Sequence, residues 1–194
     1  MASKFECEVR FAIGDIEEFK KRLAELDAKL KYPYEFTDYY YAPENEKWDS
    51  LEKTLRIREW ATPQHPTTIY FTKNEIVSIG DVQFKRALYP QGKVPLFSGD
   101  VEMCRALLAD LGFTSWITIK KERASHWELP RYGFETVAEY IAGLGWSGEL
   151  EFEGEYPEKA KENIEKALDI LEISRDMVSF KPISVIVAEK RGLL

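Results

Sequence analysis

Apolar and polar residues alternate along Phe5-Glu6-Cys7-Glu8-Val9-Arg10-Phe11. That is the period of a β-strand, whose successive side chains point to opposite faces. One face carries Phe5, Cys7, Val9 and Phe11, and the other carries Glu6, Glu8 and Arg10. The same period recurs in Leu55-Arg56-Ile57-Arg58 and in Glu149-Leu150-Glu151-Phe152-Glu153. The pattern predicts strands over 4–12, 34–41, 54–60, 67–73, 82–89, 114–124, 148–154 and 183–189. The loops between them are short, which implies antiparallel connections.

Three segments follow the helical period instead. Over Asp15–Leu30, the residues Ile16, Phe19, Leu23, Leu26 and Leu30 form one stripe, with Asp15 placed to cap the N-terminus. Over Asp100–Leu111 the stripe is Val101, Cys104, Leu107, Leu108 and Leu111, and Gly112 follows as a C-terminal stop. Over Pro157–Leu171 it is Ile164, Leu168 and Leu171, with proline in the first turn. The first two helices share a pattern: Asp15-Ile-Glu-Glu-Phe resembles Asp100-Val-Glu-Met-Cys, and Leu23-Ala-Glu-Leu resembles Leu108-Ala-Asp-Leu. Two related halves, each strand–helix–strands, would explain it.

The alternation has two readings. A sheet with its polar face in water would carry mixed charges, paired across strands. Here the charges are segregated. Arg56 and Arg58 are uncompensated on their face, and so is the Glu149, Glu151, Glu153 series. Like charges two residues apart on one face repel unless a counter-charge meets them. Phosphates would meet the arginines, and metal ions the glutamates.

Composition narrows the classes. A chain of 194 residues with 44% hydrophobic and 31% charged residues suits one folded domain, 1–194, and no linker divides it. No apolar run reaches the length of a membrane span, and the start has no apolar signal core, so the cytoplasm is the expected compartment and no membrane partner is expected. Cys7 and Cys104 make neither a disulfide framework nor a metal cluster. The net charge of −7 argues against nucleic acid. That average hides a local excess: residues 53–93 carry seven Lys/Arg against three acids. His65 reads as a loop residue, His126 as structural, and Tyr39, Tyr40 and Tyr41 as core.

Motifs in a fixed order resemble the CYTH domain, the triphosphate tunnel metalloenzymes, which include class IV adenylyl cyclases, thiamine-triphosphatases and inorganic triphosphatases. Glu6-Cys-Glu8-Val-Arg10 resembles the opening Glu-x-Glu-x-Lys, with arginine for lysine. Thr37-Asp38-Tyr-Tyr40 resembles the Asp-x-Tyr strand, and Leu55-Arg56-Ile-Arg58 the paired-arginine strand. Phe71-Thr-Lys73 and Lys121-Glu-Arg123 follow. Glu139-Tyr-Ile141-Ala-Gly143-Leu-Gly145 and the closing Glu149-Leu-Glu151 complete the series.

The resemblance implies an α+β fold: a closed antiparallel β-barrel of about eight strands with a charged tunnel interior and flanking helices. It also implies a strand near 134–141, although Phe134, Val137 and Ile141 stand at helical spacing. By the same resemblance Glu6, Glu8, Glu149 and Glu151 would be catalytic. Glu6, Glu8, Glu139, Glu149 and Glu151 would hold Mg²⁺ or Mn²⁺. Arg10, Arg56, Arg58, Lys73, Lys85, Lys121 and Arg123 would bind the phosphates, with Arg86 competing with Lys85 for the inward position and Lys181 as a further late base.

The implied activity is metal-dependent hydrolysis of inorganic triphosphate or an organic one such as thiamine triphosphate or ATP. An adenylyl cyclase making cyclic AMP, and a non-catalytic polyphosphate or nucleotide sensor, are the alternatives. A monomer or a homodimer is expected.

Overall fold

The structure is a computed structural model that describes residues 5–44, 47–89, 92–154 and 156–194, with backbone alone for Phe5, Glu153 and Gly154. The strands are β1 (Phe5–Ala12), β2 (Lys29–Pro43), β3 (Lys53–Thr62), β4 (Thr67–Ile79), β5 (Val82–Ala87), β6 (Val94–Gly99), β7 (Phe113–Leu129), β8 (Phe134–Ile141), β9 (Gly145–Gly154) and the short β10 (Val178–Ser179). The helices are α1 (Ile16–Glu25), α2 (Val101–Asp110), α3 (Pro157–Leu171) and α4 (Ile183–Lys190).

The strands run β1-β5-β4-β3-β2-β7-β8-β9, and β9 pairs back onto β1, which closes an antiparallel barrel. β6 lies along β4, and β10 along β1. The chain divides into β1-α1-β2-β3-β4 and β6-α2-β7-β8-β9. Each half lays its opening strand along the last strand of the other, β1 on β9 and β6 on β4, while β2 and β7 pair between them. Two related strand–helix–strands halves are thus present, although the pairing between them was not part of the expectation.

On β1, β3, β4 and β9 the apolar face points outward, under the helices. Val9, Phe11, Leu150 and Phe152 pack with Phe19 and Leu23 of α1 and with Ile164 and Leu168 of α3. Leu55, Ile57 and Ile69 pack with Cys104 and Leu108 of α2. With the apolar faces buried outside, the polar faces have only the barrel interior left to them.

Both predicted caps form. The Asp15 carboxylate accepts from the backbone N–H groups of Glu17 and Glu18, and that of Asp100 accepts from Met103. α1 stops at Glu25 rather than continuing to Leu30, because Asp27 takes a left-handed φ of 55° and the chain turns into β2. Strand β6 was not foreseen. Residues 134–141 form β8, since pairing on both sides overrides the helical spacing.

The 183–189 stretch is a correction: it is helix α4, not a strand. Its β-branched Ile-Ser-Val-Ile-Val run is apolar all round, which favours a strand locally. Tertiary packing decides otherwise. Ile183, Val187 and Ala188 bury against the inward-facing Tyr40, Ile117, Ile119 and Ile141, so the helix closes one end of the barrel.

Close packing outside the barrel leads to a test. A Cβ at Gly148 would lie 2.1 Å from the Phe11 ring, which is 1% exposed. Gly148→Ala is expected to cost about 1–3 kcal/mol, a fall in melting temperature of about 2–10 °C. An unchanged melt would mean that the ring is free to move aside.

Candidate functional site

The barrel encloses a cavity of about 390 Å³. Among the described residues, six acids line it, Glu6, Glu8, Asp38, Glu139, Glu149 and Glu151, and six bases, Arg10, Arg56, Arg58, Lys85, Lys93 and Lys121. Alternation places most of them. Glu6, Glu8 and Arg10 project inward from β1, Asp38 from β2, Arg56 and Arg58 from β3, and Glu149 and Glu151 from β9.

Cross-strand pairing then brings opposite charges together. Arg58 donates to both oxygens of Asp38, at 2.7 Å each, and Arg56 Nε lies 3.4 Å from the same carboxylate. The two arginines are therefore not uncompensated, as their own strand suggests; the acid comes from the neighbouring β2. Arg10 likewise meets Glu149 on β9, so that glutamate is not unopposed either.

Glu139 is the hub of the buried polar network. Its Oε1 accepts from Tyr34 Oη at 2.5 Å and Lys121 Nζ at 2.7 Å, and its Oε2 from Arg10 at 3.3 Å. Lys85 is paired with Glu8, its direct cross-strand neighbour. Arg86, one residue on, points outside to Glu75, which makes Lys85 the inward base.

These environments shift the ionisations. Burial pushes Lys85 down to about 8, against the pull of Glu149 and Glu6. Burial would raise Glu149, but Arg10, Lys121 and Lys85 outweigh it and hold its carboxyl at about 2. Glu151 stands at the rim, where it keeps contact with water. The protein packed around it, then the charges of Glu6 and Glu149, push its carboxyl up. Glu6 is raised by the same crowding, with Lys93 opposing, and hydrogen-bonds Glu151.

Two predicted bases do not reach the cavity. Lys73 is on the outer face of β4, because Tyr70, Thr72 and Asn74 take the inward positions. Arg123 has the same spacing from Lys121 as Arg58 from Arg56, but the β7 ladder is irregular there and Arg123 takes φ 48°. Its guanidinium lies outside, 4.1 Å from the centre of the Tyr140 ring. Lys181 is also away from the cavity, paired with Glu189 at 2.6 Å. The side chain of Glu153 lies outside the described residues.

Lys93 is a cavity base that sequence reasoning passed over, since it sits in a turn with no periodicity to mark its direction. The neighbouring Gly92 is held against Glu6: a Cβ there would lie 2.1 Å from its carboxylate. His126 is tied to Glu135 at 2.6 Å and to Tyr32 at 3.0 Å.

Arg10 Nε, Arg56 Nε and Thr72 Oγ1 are buried and have no hydrogen-bond partner among the described residues. Buried polar groups are normally satisfied. All three belong to residues lining the cavity.

The CYTH domain model matches residues 4–177. The chain belongs to the CYTH family. The CYTH match stops short of α4, the helix that closes the barrel. No curated protein matches the chain by sequence.

Among solved structures, the CYTH chain is similar to a conserved hypothetical protein from Pyrococcus furiosus, with a TM-score of 0.68 and 24% identity over 92% of this chain and 97% of that one. It is also similar to a Vibrio parahaemolyticus protein described as a candidate adenylate cyclase, with a TM-score of 0.70 and 13% identity over 96% and 99%. A third is a Hippeastrum protein, described as a candidate adenylyl cyclase with a dominant triphosphatase activity, with a TM-score of 0.60 and 13% identity over 98% and 97%. At these identities the likeness is one of fold.

Proposed function

We propose that the protein hydrolyses a triphosphate with the help of a divalent cation, Mg²⁺ or Mn²⁺. The observation that carries this reading is one cavity lined both by the bases Arg10, Arg56, Arg58, Lys85 and Lys121 and by the close-set carboxylates Glu6, Glu149 and Glu151. A triphosphate carries four or five negative charges and needs cations spread over its length. Arginine offers forked contacts to phosphate oxygens and lysine a compact charge. The volume of about 390 Å³ falls within the range of small-ligand sites, about 300–1,000 Å³.

The carboxylate rim suits a hard cation. Among the described residues, no three acidic, His or Cys side chains already surround one point. Glu6 and Glu151 instead hydrogen-bond each other, with Glu149 close enough to raise both. Carboxylates held together in this way exchange their proton for a cation readily. Glu8 is paired with Lys85, and Glu139 with Arg10 and Lys121, which supports a part for them in orienting these bases. A cation bound by Glu6, Glu149 and Glu151 would neutralise charge at the phosphate undergoing attack.

Arg56 and Arg58, held by Asp38, would fix the phosphates against it, and α4 would keep bulk water out of the far end. Water supplies the attacking oxygen, the bond from the terminal phosphorus to its bridging oxygen breaks, and orthophosphate leaves.

The test is to incubate the protein with Mg²⁺ or Mn²⁺ and, separately, inorganic triphosphate, thiamine triphosphate and ATP, then separate the products. Orthophosphate, with pyrophosphate or the diphosphate ester, is expected, and chelation of the metal should stop its release. Cyclic AMP with pyrophosphate from ATP would replace this reading by a cyclase. Tight binding without turnover would leave a sensor, and no binding at all would end the triphosphate reading.

A further inference from the structure

Strand β7 changes face part-way along. Lys121 lines the cavity, and so does His126, five residues on. On a regular strand an odd spacing puts two side chains on opposite faces. The ladder with β8 shows how both point inward. Arg123 and Ala124 together stand against the single Glu139, a one-residue bulge between the pairs Glu122–Tyr140 and Ser125–Ala138. Arg123 takes up the extra residue at φ 48°, a conformation that side chains other than glycine rarely adopt. Beyond it Ala124 packs with Tyr34 and Phe36 on the cavity side, and His126 follows. Bulges of this kind re-aim side chains beside active sites. Here the side chain re-aimed is an imidazole, which the proposed metal and phosphate contacts leave unused.

The surroundings of that imidazole suit proton transfer. Its Nε2 lies 2.6 Å from Glu135, and its Nδ1 3.0 Å from Tyr32 Oη. Burial would raise the Glu135 carboxyl, but Lys31, at 2.6 Å, and His126 outweigh it and hold it below its ordinary value. The ionised Glu135 therefore accepts from Nε2–H, which leaves Nδ1 to accept from Tyr32 Oη. The other charged groups facing the ring are Glu128, opposite Glu135 in the ladder, and Glu149 and Glu151 across a shared recess. His126, Val137 and Glu149 form one cross-strand row. Two strand spacings of about 4.8 Å separate the backbones of His126 and Glu149, with only the short Val137 between them.

We propose that Tyr32, His126 and Glu135 form a proton relay for the attacking water. The water gives a proton to Tyr32 Oη as Tyr32 passes its own to His126 Nδ1. The water oxygen bonds to the terminal phosphorus, the bond to the bridging oxygen breaks, and Glu135 balances the imidazolium. The proton then leaves to bulk water, to which Tyr32 is 42% exposed. The inference rests on the hydrolysis reading and adds to it the group that takes the proton.

The test is the pH profile of orthophosphate release from inorganic triphosphate, thiamine triphosphate and ATP. Mg²⁺ is kept saturating at each pH, so that Glu6, Glu149 and Glu151 stay metal-bound. Imidazole ordinarily changes charge between about pH 5 and 8, so wild type should lose turnover as pH falls through that range. His126→Gln keeps a donor for Glu135. It should lower kcat about a hundredfold at about pH 8, leave KM within about twofold and flatten the acid limb. Glu135→Gln should move that limb to lower pH by about one unit or more, since the imidazolium loses its counter-charge. Tyr32→Phe removes one hydroxyl from an exposed side chain and should lose a similar factor in kcat, which decides the matter if His126→Gln does not fold. Full turnover with an unchanged acid limb in His126→Gln, or in Tyr32→Phe should the other not fold, would overturn the relay. No orthophosphate from wild type at any pH would instead strike the hydrolysis reading, and the relay with it.

Discussion

Glu149→Gln is expected to lower turnover by about a thousandfold, the size of effect seen when one charged or polar group facing a reacting phosphate or acyl group is lost. The substitution keeps the shape and an oxygen that still accepts from Arg10, and Arg10 keeps Glu139 as its other partner. The fold should therefore survive, with a melting temperature within a few degrees of wild type.

Glu151→Gln should lose turnover to a similar degree, and it carries a separate signature in stability. Crowding by protein, Glu6 and Glu149 raise the Glu151 carboxyl from its ordinary 4.5 to about 8. The folded chain thus binds a proton that the unfolded chain releases. Stability from that proton is present below about 4.5 and is lost as pH rises through about 8. Water at the rim screens the group, so the slope is shallow. In chelator, melting curves between pH 5 and 9 should show the decline in wild type and a flatter profile in Glu151→Gln. Full turnover in either variant would remove that residue from the chemistry, and loss of the fold would mean that the residue is structural.

The inward acids and bases were legible in the sequence where a strand is regular. Alternation alone set the direction of Glu6, Glu8, Arg10, Arg56, Arg58, Glu149 and Glu151, because a strand has only two faces and the outer one had to be apolar. It failed where a strand is irregular or the parity was borrowed. Arg123 follows Lys121 by two residues, yet the kink at φ 48° turns it out. Lys73 matches its motif by letter, but Phe71 fills an outer position against Trp48 and its neighbours, which carries Lys73 outside with it.

Compensation across strands was invisible for another reason. Asp38 and Arg58 stand opposite each other only once β2 and β3 are in register, and no local pattern states that register. Lys93 lies in a turn, and α4 has a strand's composition with a helix's surroundings. Each is decided by contacts distant in sequence.

Asp38 is the residue whose loss should cost the most stability. It is 1% exposed and holds Arg58 through two hydrogen bonds, with Arg56 beside it. Burial alone would raise its carboxyl, but Arg58 and then Arg56 outweigh that and hold it below its ordinary value. Asp38→Ala would leave the Arg58 guanidinium buried without a counter-charge, at a cost of about 3–5 kcal/mol. For a chain of this size that is a fall of about 6–20 °C in melting temperature.

The pH dependence should change with it. A lowered carboxyl contributes stability that is present above its unfolded value of 3.8 and is lost as pH falls through the folded one. Wild type should therefore lose stability on acidification below about pH 4, and Asp38→Ala should lack that part of the decline.

A further consequence separates this account from a simple packing defect. The missing charge sits where the phosphates are proposed to bind, so added triphosphate should replace it. Raising inorganic triphosphate should lift the melting temperature of Asp38→Ala by more than that of wild type, since the bound anion now satisfies a buried arginine as well as its own contacts. Equal shifts in the two proteins would mean that Arg58 does not meet the phosphates, and that Asp38 and Arg58 are a structural pair beside the site rather than part of it.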